Sequence, residues 1–471
     1  MITKKVLVCI SIIVLGNTVN AQNADISDEL IPLLTIETIN GEMPTCDIIL
    51  EPGATITNNN YVPGKMTMTL NGETLYSSGE YITDKSGIRI KRRGNSTAVF
   101  LNQHPYKIKL SKKFDLLRRT GDADYRHKEW LLMSMYTWNP VMTNDECNIL
   151  NMAGLLASKL LNKEWTPEYD FVQVVLNGEY QGMYYLMEPV TKGNSRIPLS
   201  NDGTGFIIEH DFFWWNEDKY FKTDRMTDTF GYTYKEPDSD DVTEEINADM
   251  ANYMNEVENA IYNHKDISNY IDITSFAKWA LLHDILATQD SWGSNRFLTR
   301  YDNTSLIQMG PAWDYDTTFR CEGWSNIHSF EEFYIHELLK LPEFIAEYTK
   351  LWKTVRPTFI QEFNAGMDAL WEKYGNVFDQ NMAIHKTKYP NEGMNTFDEQ
   401  INEVKEKMTE RISVLDELIK EYDHSTIIID IKNNKNMINY INIQGCKVKP
   451  NKGKGLYIIQ DKDGTYHKIL N

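Results

Sequence analysis

Cysteine is scarce in this chain, five residues in 471. After Cys9 the others stand alone at Cys46, Cys147, Cys321 and Cys446, which excludes a dense disulfide framework and the paired spacing of a structural zinc site. Basic charge is also in deficit. Against 67 Asp and Glu stand 48 Lys and Arg, a formal net charge of −19 and a pI of about 5.0. Such a chain repels phosphate backbones at long range, so nucleic acid is excluded as a general partner. Long apolar runs are missing too. The one clear stretch, Val6 to Gly16, follows Lys4 and Lys5, precedes Val19-Asn20-Ala21, and is too short to cross a bilayer. Its place and flanks predict an export signal over residues 1–21, and Cys9 lacks the small residues before it that a lipoprotein signal needs. No other segment approaches the length of a stable membrane span. With 41% hydrophobic and 24% charged residues, the remainder is of globular composition.

What is present changes character along the chain. From Leu30 to Ile90, short apolar alternations are broken by Asn40-Gly41, Pro52-Gly53, Pro63-Gly64 and Asn71-Gly72, the signature of antiparallel β-structure. A strand at Tyr106–Leu110 alternates apolar and basic residues, so Lys107 and Lys109 share one face. The spacing predicts a helix over 148–161, then strands at 171–176 and 183–187 and another at 205–211. The polar stretch from Asn216 to Val242 reads as a surface insertion. Helical periodicity then dominates: about 245–263, 273–288, 331–339, 342–352, 357–373 and 396–422, interrupted by strands at 296–301 and 306–309. Strands first and helices second predict an α+β fold rather than repeated βαβ units. One unit is expected over 22–424, β-rich from about 30 to 110, and a small β module over 425–471.

The chemistry-bearing pattern is Asp290-x4-Asn295 at a helix end, followed by a hairpin and then Trp313-Asp314-Tyr315-Asp316. Phosphoryl-transfer enzymes use parts in this order: an Asp that accepts the proton of the attacking hydroxyl, an amide oxygen that reaches a divalent ion, and an Asp that bridges metal and phosphates. Carboxylate and amide oxygens are hard ligands suited to Mg2+ or Mn2+. Taken alone, Asp-x4-Asn is ordinary turn chemistry. Asp314 and Asp316 strengthen it, because alternation along an extended segment puts both carboxylates on one side, where a cation or solvent must relieve their repulsion. In the other half, Arg92-Arg93-Gly94-Asn95-Ser96-Thr97 and the lysine-bearing strand form a basic cluster in an acidic chain, able to cradle phosphates or simply to form a solvated turn.

Together, Arg93-Gly94-Asn95-Ser96-Thr97, Pro105-Tyr106-Lys107-Ile108-Lys109-Leu110, Gly182-Met183-Tyr184-Tyr185-Leu186-Met187-Glu188, Gly205-Phe206-Ile207-Ile208-Glu209, Tyr270-Ile271-Asp272 and Met309-Gly310-Pro311-Ala312-Trp313-Asp314-Tyr315-Asp316 resemble, in order, the spore-coat protein H (CotH) kinases. These are secreted enzymes with an atypical protein-kinase-like fold. The resemblance covers about Leu30 to Glu421. It implies a β-rich N-terminal lobe, a helical C-terminal lobe, ATP with Mg2+ or Mn2+, and transfer to Ser or Thr of exported proteins. By that resemblance Asp290 is the catalytic aspartate, Asn295 and Asp314 are metal ligands, and Asp316 is a metal or structural partner. Lys109 is the phosphate-binding lysine with Lys107 as alternate, and Arg93, Asn95 and Ser96 line the nucleotide loop. Glu188, Glu209 and Glu146 compete as the lysine's partner, Glu188 first.

The chain departs from ordinary protein kinases: its loop has few glycines, no His-Arg precedes Asp290, and Trp-Asp-Tyr replaces Asp-Phe-Gly. His283 is expected to be a core or surface histidine rather than a base, and the tryptophans at 214, 215, 292 and 313 are suited to stacking on adenine or a substrate, with core packing the commoner fate of such rings. From Ile438 onward, Ile443-Gln444-Gly445-x-Lys447-Val448 and Gly455-Leu456-Tyr457-Ile458-Ile459 resemble sorting tails of type IX secretion. The expected location is therefore the periplasm, the cell surface or the medium. Two other readings stand beside the kinase: transfer of AMP on the same scaffold, and a non-catalytic surface or adhesion protein.

Overall fold

The computed structural model describes residues 43–58, 60–94, 97, 101–121, 123–135, 147–288, 294–311, 313–319, 334–390 and 395–420, and the backbone of four strands between 437 and 470. The export-signal segment and residues 30–42 of the alternating run lie outside the described residues. Among those described, no helix is long and apolar enough to cross a membrane.

The N-terminal part is a barrel. Its strands are β1 (Thr45–Leu50), β2 (Val62–Leu70), β3 (Glu73–Ser77), β4 (Ile88–Arg92), β5 (Tyr106–Phe114), β6 (His127–Ser134), β7 (Tyr169–Leu176) and β8 (Glu179–Met187). They run in the order β1-β7-β8-β6-β5-β4-β2-β3, and β1 also pairs with β2, so seven strands close on themselves and β3 hangs from β2. Every pairing is antiparallel except β1 with β7. Alternation explains the closure. Ile88, Ile90, Ile108, Leu110 and Trp130 point into an apolar interior, while the residues between them face outward. The β2–β3 turn is the expected Asn71-Gly72, with φ of 51° and 82°, the left-handed pair that a two-residue hairpin requires.

The β-rich part thus runs past the expected limit near residue 110 to Met187, because the chain returns through β6, β7 and β8 to close the barrel. Between β6 and β7, α1 (Leu150–Leu160) forms much as its spacing predicts.

A second sheet has the order β10-β11-β9-β12-β13, built from β9 (Phe206–Asp211), β10 (Tyr220–Phe221), β11 (Gly231–Glu236), β12 (Arg296–Arg300) and β13 (Gln308–Met309). This corrects the surface-insertion reading of 216–242. In that stretch β11 pairs with β9, Tyr232 opposite His210, and Phe221, Tyr232 and Thr233 are buried. The aromatic alternation Tyr232–Tyr234 that builds the strand is short and hidden among Asp and Thr.

The helical part comprises α2 (Glu244–Tyr262), α3 (Ile273–Leu286), α4 (Ile335–Leu338), α5 (Pro342–Lys388) and α6 (Phe397–Lys420). The two helices expected at 342–352 and 357–373 are one, with Pro357 inside it and non-helical backbone only at Gly375. Helix α2 is opened by Thr243, whose hydroxyl accepts from the Ile246 amide, and α3 by Asp272, which accepts from Thr274 and Ser275. Helix α3 is buried along most of its length, and of the core and surface places expected for His283 it takes the core. It stacks on Trp279 with ring centroids 3.7 Å apart, and burial lowers its pKa to about 3. The α+β character stands. Past α6, β14 (Met437–Asn442), β15 (Lys447–Val448), β16 (Leu456–Asp461) and β17 (Tyr466–Leu470) form a separate sheet of order β15-β14-β16-β17.

Candidate active site

The candidate residues gather on two surfaces. On the first, β4 and β5 carry basic residues on the outer face of the barrel. The register sets Arg89 opposite Lys109 and Lys91 opposite Lys107. From β6, Glu129 lies opposite Lys109 and bonds both lysines, 2.9 Å to Lys107 Nζ and 3.5 Å to Lys109 Nζ. Burial would raise the Glu129 carboxyl, but the charge and hydrogen bond of Lys107, joined by the charges of Lys109 and His127, together hold the pKa below the ordinary value. Arg93 lies just past β4, its guanidinium 3.0 Å from the Met133 sulfur. Asn95 and Ser96 lie outside the described residues, as does Glu146.

Glu129 corrects the expected partner of the lysines. Glu188 is buried at the end of β8, where it accepts from Arg119 at 2.9 Å, Arg196 at 3.2 Å and the Glu168 amide at 3.1 Å. Its carboxylate is engaged by arginines and does not reach Lys107 or Lys109. Glu209, on β9, pairs with Lys235 of β11 at 2.9 Å. Its other oxygen accepts from the Asn295 backbone amide at 2.9 Å. The sequence did carry a signal for Glu129, since it alternates with the buried Trp130 on a strand adjoining the lysines. Lys235 was hidden by the misread 216–242 segment.

The second surface lies at the ends of β9 and β12. Asn295 has φ 64°, a left-handed conformation that Asn tolerates, and its Nδ2 approaches Asp314 Oδ2 at 3.4 Å. Asp314 also has positive φ, 66°, so the segment is not extended there and the alternation argument for a shared face of Asp314 and Asp316 does not hold. Both carboxylates still act on Tyr185 of β8: burial and then their charges raise its hydroxyl pKa, while Arg93 opposes them. That residue links the barrel's outer face to the Asp314 segment. Between the aspartates Tyr315 is fully buried, its amide donating to Asn151 Oδ1 at 2.8 Å. Asp290 lies outside the described residues. Thr288, two residues earlier, is buried and bonds Thr317 hydroxyl to hydroxyl at 2.8 Å.

Asp211, which sequence reasoning passed over, belongs here. It accepts from Ser294 Oγ at 2.7 Å and the Phe213 amide at 2.9 Å. Burial, reinforced by the Glu209 charge, pushes its pKa up to about 6. A carboxyl raised in the folded state stabilises the fold below its ordinary pKa of 3.8, and this contribution is lost as pH rises through about 6. Asp211→Asn keeps an oxygen for Ser294 and removes that loss. In chelator-containing buffer, the melting temperature of the variant is expected to gain on wild type between pH 4 and pH 7; parallel curves would refute this.

Asn295 and Asp314 offer hard oxygen donors of the kind that hold Mg2+ or Mn2+. Among the described residues no group of three or more His, Cys, Asp or Glu side chains could hold a metal ion. That donor set fits a metal carried chiefly by a substrate's phosphates, with one or two protein ligands.

A family model described as CotH kinase protein matches residues 90–415, more than half of the chain and both surfaces of the site. Among curated proteins none matches the chain.

Proposed function

This chain belongs to the CotH kinase family, and on that premise we propose that it is an exported, metal-dependent kinase transferring the γ-phosphate of ATP to Ser or Thr hydroxyls of secreted or surface proteins. The observation that carries the reading is the meeting of Asn295 with Asp314 on the side of Tyr185, itself part of the barrel that bears Lys107 and Lys109. In this reading the barrel and the helical part are counterparts of the two lobes of a protein kinase. The residues at 1–21 and 425–471 are then an export signal and a sorting tail, and the site of action is the periplasm, the surface or the medium.

Each side chain has one task. Lys107 and Lys109, held by Glu129, neutralise phosphate oxygens, and Arg93 adds a guanidinium at the barrel rim. Asn295 and Asp314 would hold Mg2+ or Mn2+, which supplies charge neutralisation across the phosphates when bound. Glu209 fixes Asn295 through its backbone amide, and Lys235 fixes Glu209 in turn. Asp290 accepts the proton of the acceptor hydroxyl as its oxygen bonds to the γ-phosphorus and the bond to ADP breaks. Catalysis rests on positioning and preformed charge.

The test incubates the purified chain with γ-labelled ATP, Mg2+ or Mn2+ and a Ser-containing polypeptide, and reads intact mass. The expected result is a gain of one phosphate per site that Asp290→Ala abolishes while nucleotide binding persists. A gain of AMP would replace the kinase reading by nucleotidyl transfer. No gain with either metal, or an undiminished rate in Asp290→Ala, would refute it.

A further inference from the structure

The cations of β4 and β5 are arranged against electrostatic preference. Arg89 faces Lys109 and Lys91 faces Lys107 in the antiparallel register, and like charges directly opposite destabilise a sheet. Glu129 is the carboxylate that pairs with this group, and it serves only Lys107 and Lys109. Among the described residues Arg89 and Lys91 make no ion pair. They lie instead by the Tyr61 ring, at 5.8 Å and 5.1 Å from its centroid. Four cations thus share one directly paired carboxylate, on a chain whose net charge is −19. Lys91 is the most exacting member. It is half-buried, and burial and then the Lys107 charge lower its pKa, with Glu217 and Glu129 only partly offsetting them. A lysine in that position is costly unless an anion completes it.

We propose that Arg89, Lys91, Lys107 and Lys109 form a cross-strand cation ladder for the triphosphate chain of the nucleotide, in which Lys91 binds phosphate directly and Glu129 positions the two β5 lysines. The inference rests on the nucleotide-binding reading above and adds Lys91 and Arg89 to it. A triphosphate carries enough negative charge to complete the ladder, and adjacent strands place the cations in a row along which a phosphate chain can lie. A monophosphate engages fewer of them. Affinity that depends on Lys91 therefore grows with the number of phosphates.

The experiment measures binding of ATP, AMP and inorganic tripolyphosphate to the full chain, to Lys91→Met, to Lys91→Arg and to the control Lys112→Met, together with unliganded melting temperatures. Lys91→Met is expected to weaken ATP by about tenfold or more, one charge-assisted contact, and AMP by less than twofold. Lys91→Arg is expected to restore most of the loss, and Lys112→Met to bind as wild type. Because Lys91→Met relieves the repulsion with Lys107 and keeps an apolar stem, its unliganded melting temperature is expected not to fall. ATP binding within twofold of wild type in Lys91→Met, or an equal loss for AMP, overturns the ladder and leaves the nucleotide reading standing. Tripolyphosphate bound through Lys91 with no affinity for ATP supports the ladder and overturns the nucleotide reading instead.

Discussion

Asp314→Asn is expected to lower phosphoryl transfer by about a thousandfold while leaving the melting temperature nearly unchanged. The substitution is close to isosteric. Asp314 sits at φ 66°, a left-handed conformation that Asn adopts as readily as Asp and a longer or branched residue does not. Oδ1 of the new amide can still accept from Asn295 Nδ2, which now reaches Asp314 Oδ2 at 3.4 Å, and the buried Trp313 and Tyr315 on either side keep the segment anchored. Charge is what changes. Of the two residues that would hold a divalent metal, Asp314 alone carries a full negative charge, so its loss would weaken both metal binding and the charge neutralisation that the metal would supply to the transferring phosphoryl. Initial rates with γ-labelled ATP at saturating metal, beside thermal melts, separate the two effects. A rate within tenfold of wild type would show that Asp314 is not a ligand of the reacting complex.

The second large effect is structural and lies one layer beneath the site. A Cβ at Gly154 of α1 would stand 2.2 Å from Tyr315 Cγ and 2.4 Å from its Cβ, distances at which something has to move. Tyr315 has no room to yield: it is fully buried, and its amide is held by Asn151 from the same helix. Gly154→Ala is therefore expected to cost about 3 kcal/mol, although Ala is the better helix former by about 1 kcal/mol. Displacing Tyr315 also moves Asp314 and Asp316, so activity is expected to fall further than stability alone explains. A double-mutant cycle with Tyr315→Leu tests the cause. If the ring is the obstacle, the smaller side chain absorbs much of the cost of Gly154→Ala. Strict additivity of the two substitutions would place the strain elsewhere.

These two effects divide the site into a chemical layer and a supporting one. Asn295 and Asp314 meet because two left-handed residues turn their segments toward each other, Glu209 and Lys235 brace the first, and α1 braces the second. The cations sit on a rigid barrel whose apolar interior fixes their register. A site on rigid elements suits a reaction in which the protein supplies little beyond positioned charge.

Much of this was determined by sequence alone, wherever the deciding physics is local. Alternation and turn residues located β2, the Asn71-Gly72 hairpin, β5 with Lys107 and Lys109 on one face, and β9, because side-chain period and positive φ are properties of a few adjacent residues. The ordered motifs from Arg93 to Asp316 likewise placed the chain in its family. Tertiary structure alone decided the rest. Closure of the barrel needs β1 to pair with β7, Thr45 beside Gln173, and no local pattern specifies a contact across so long a loop. The choice of Glu129 over Glu188 followed from which strand lies beside β5, since an ion pair belongs to whichever opposite charge the register brings within reach. The same rule joined Lys235 to Glu209 from a stretch whose composition reads as loop, because a two-residue strand and a short aromatic alternation become a sheet only when β9 is there to pair with them.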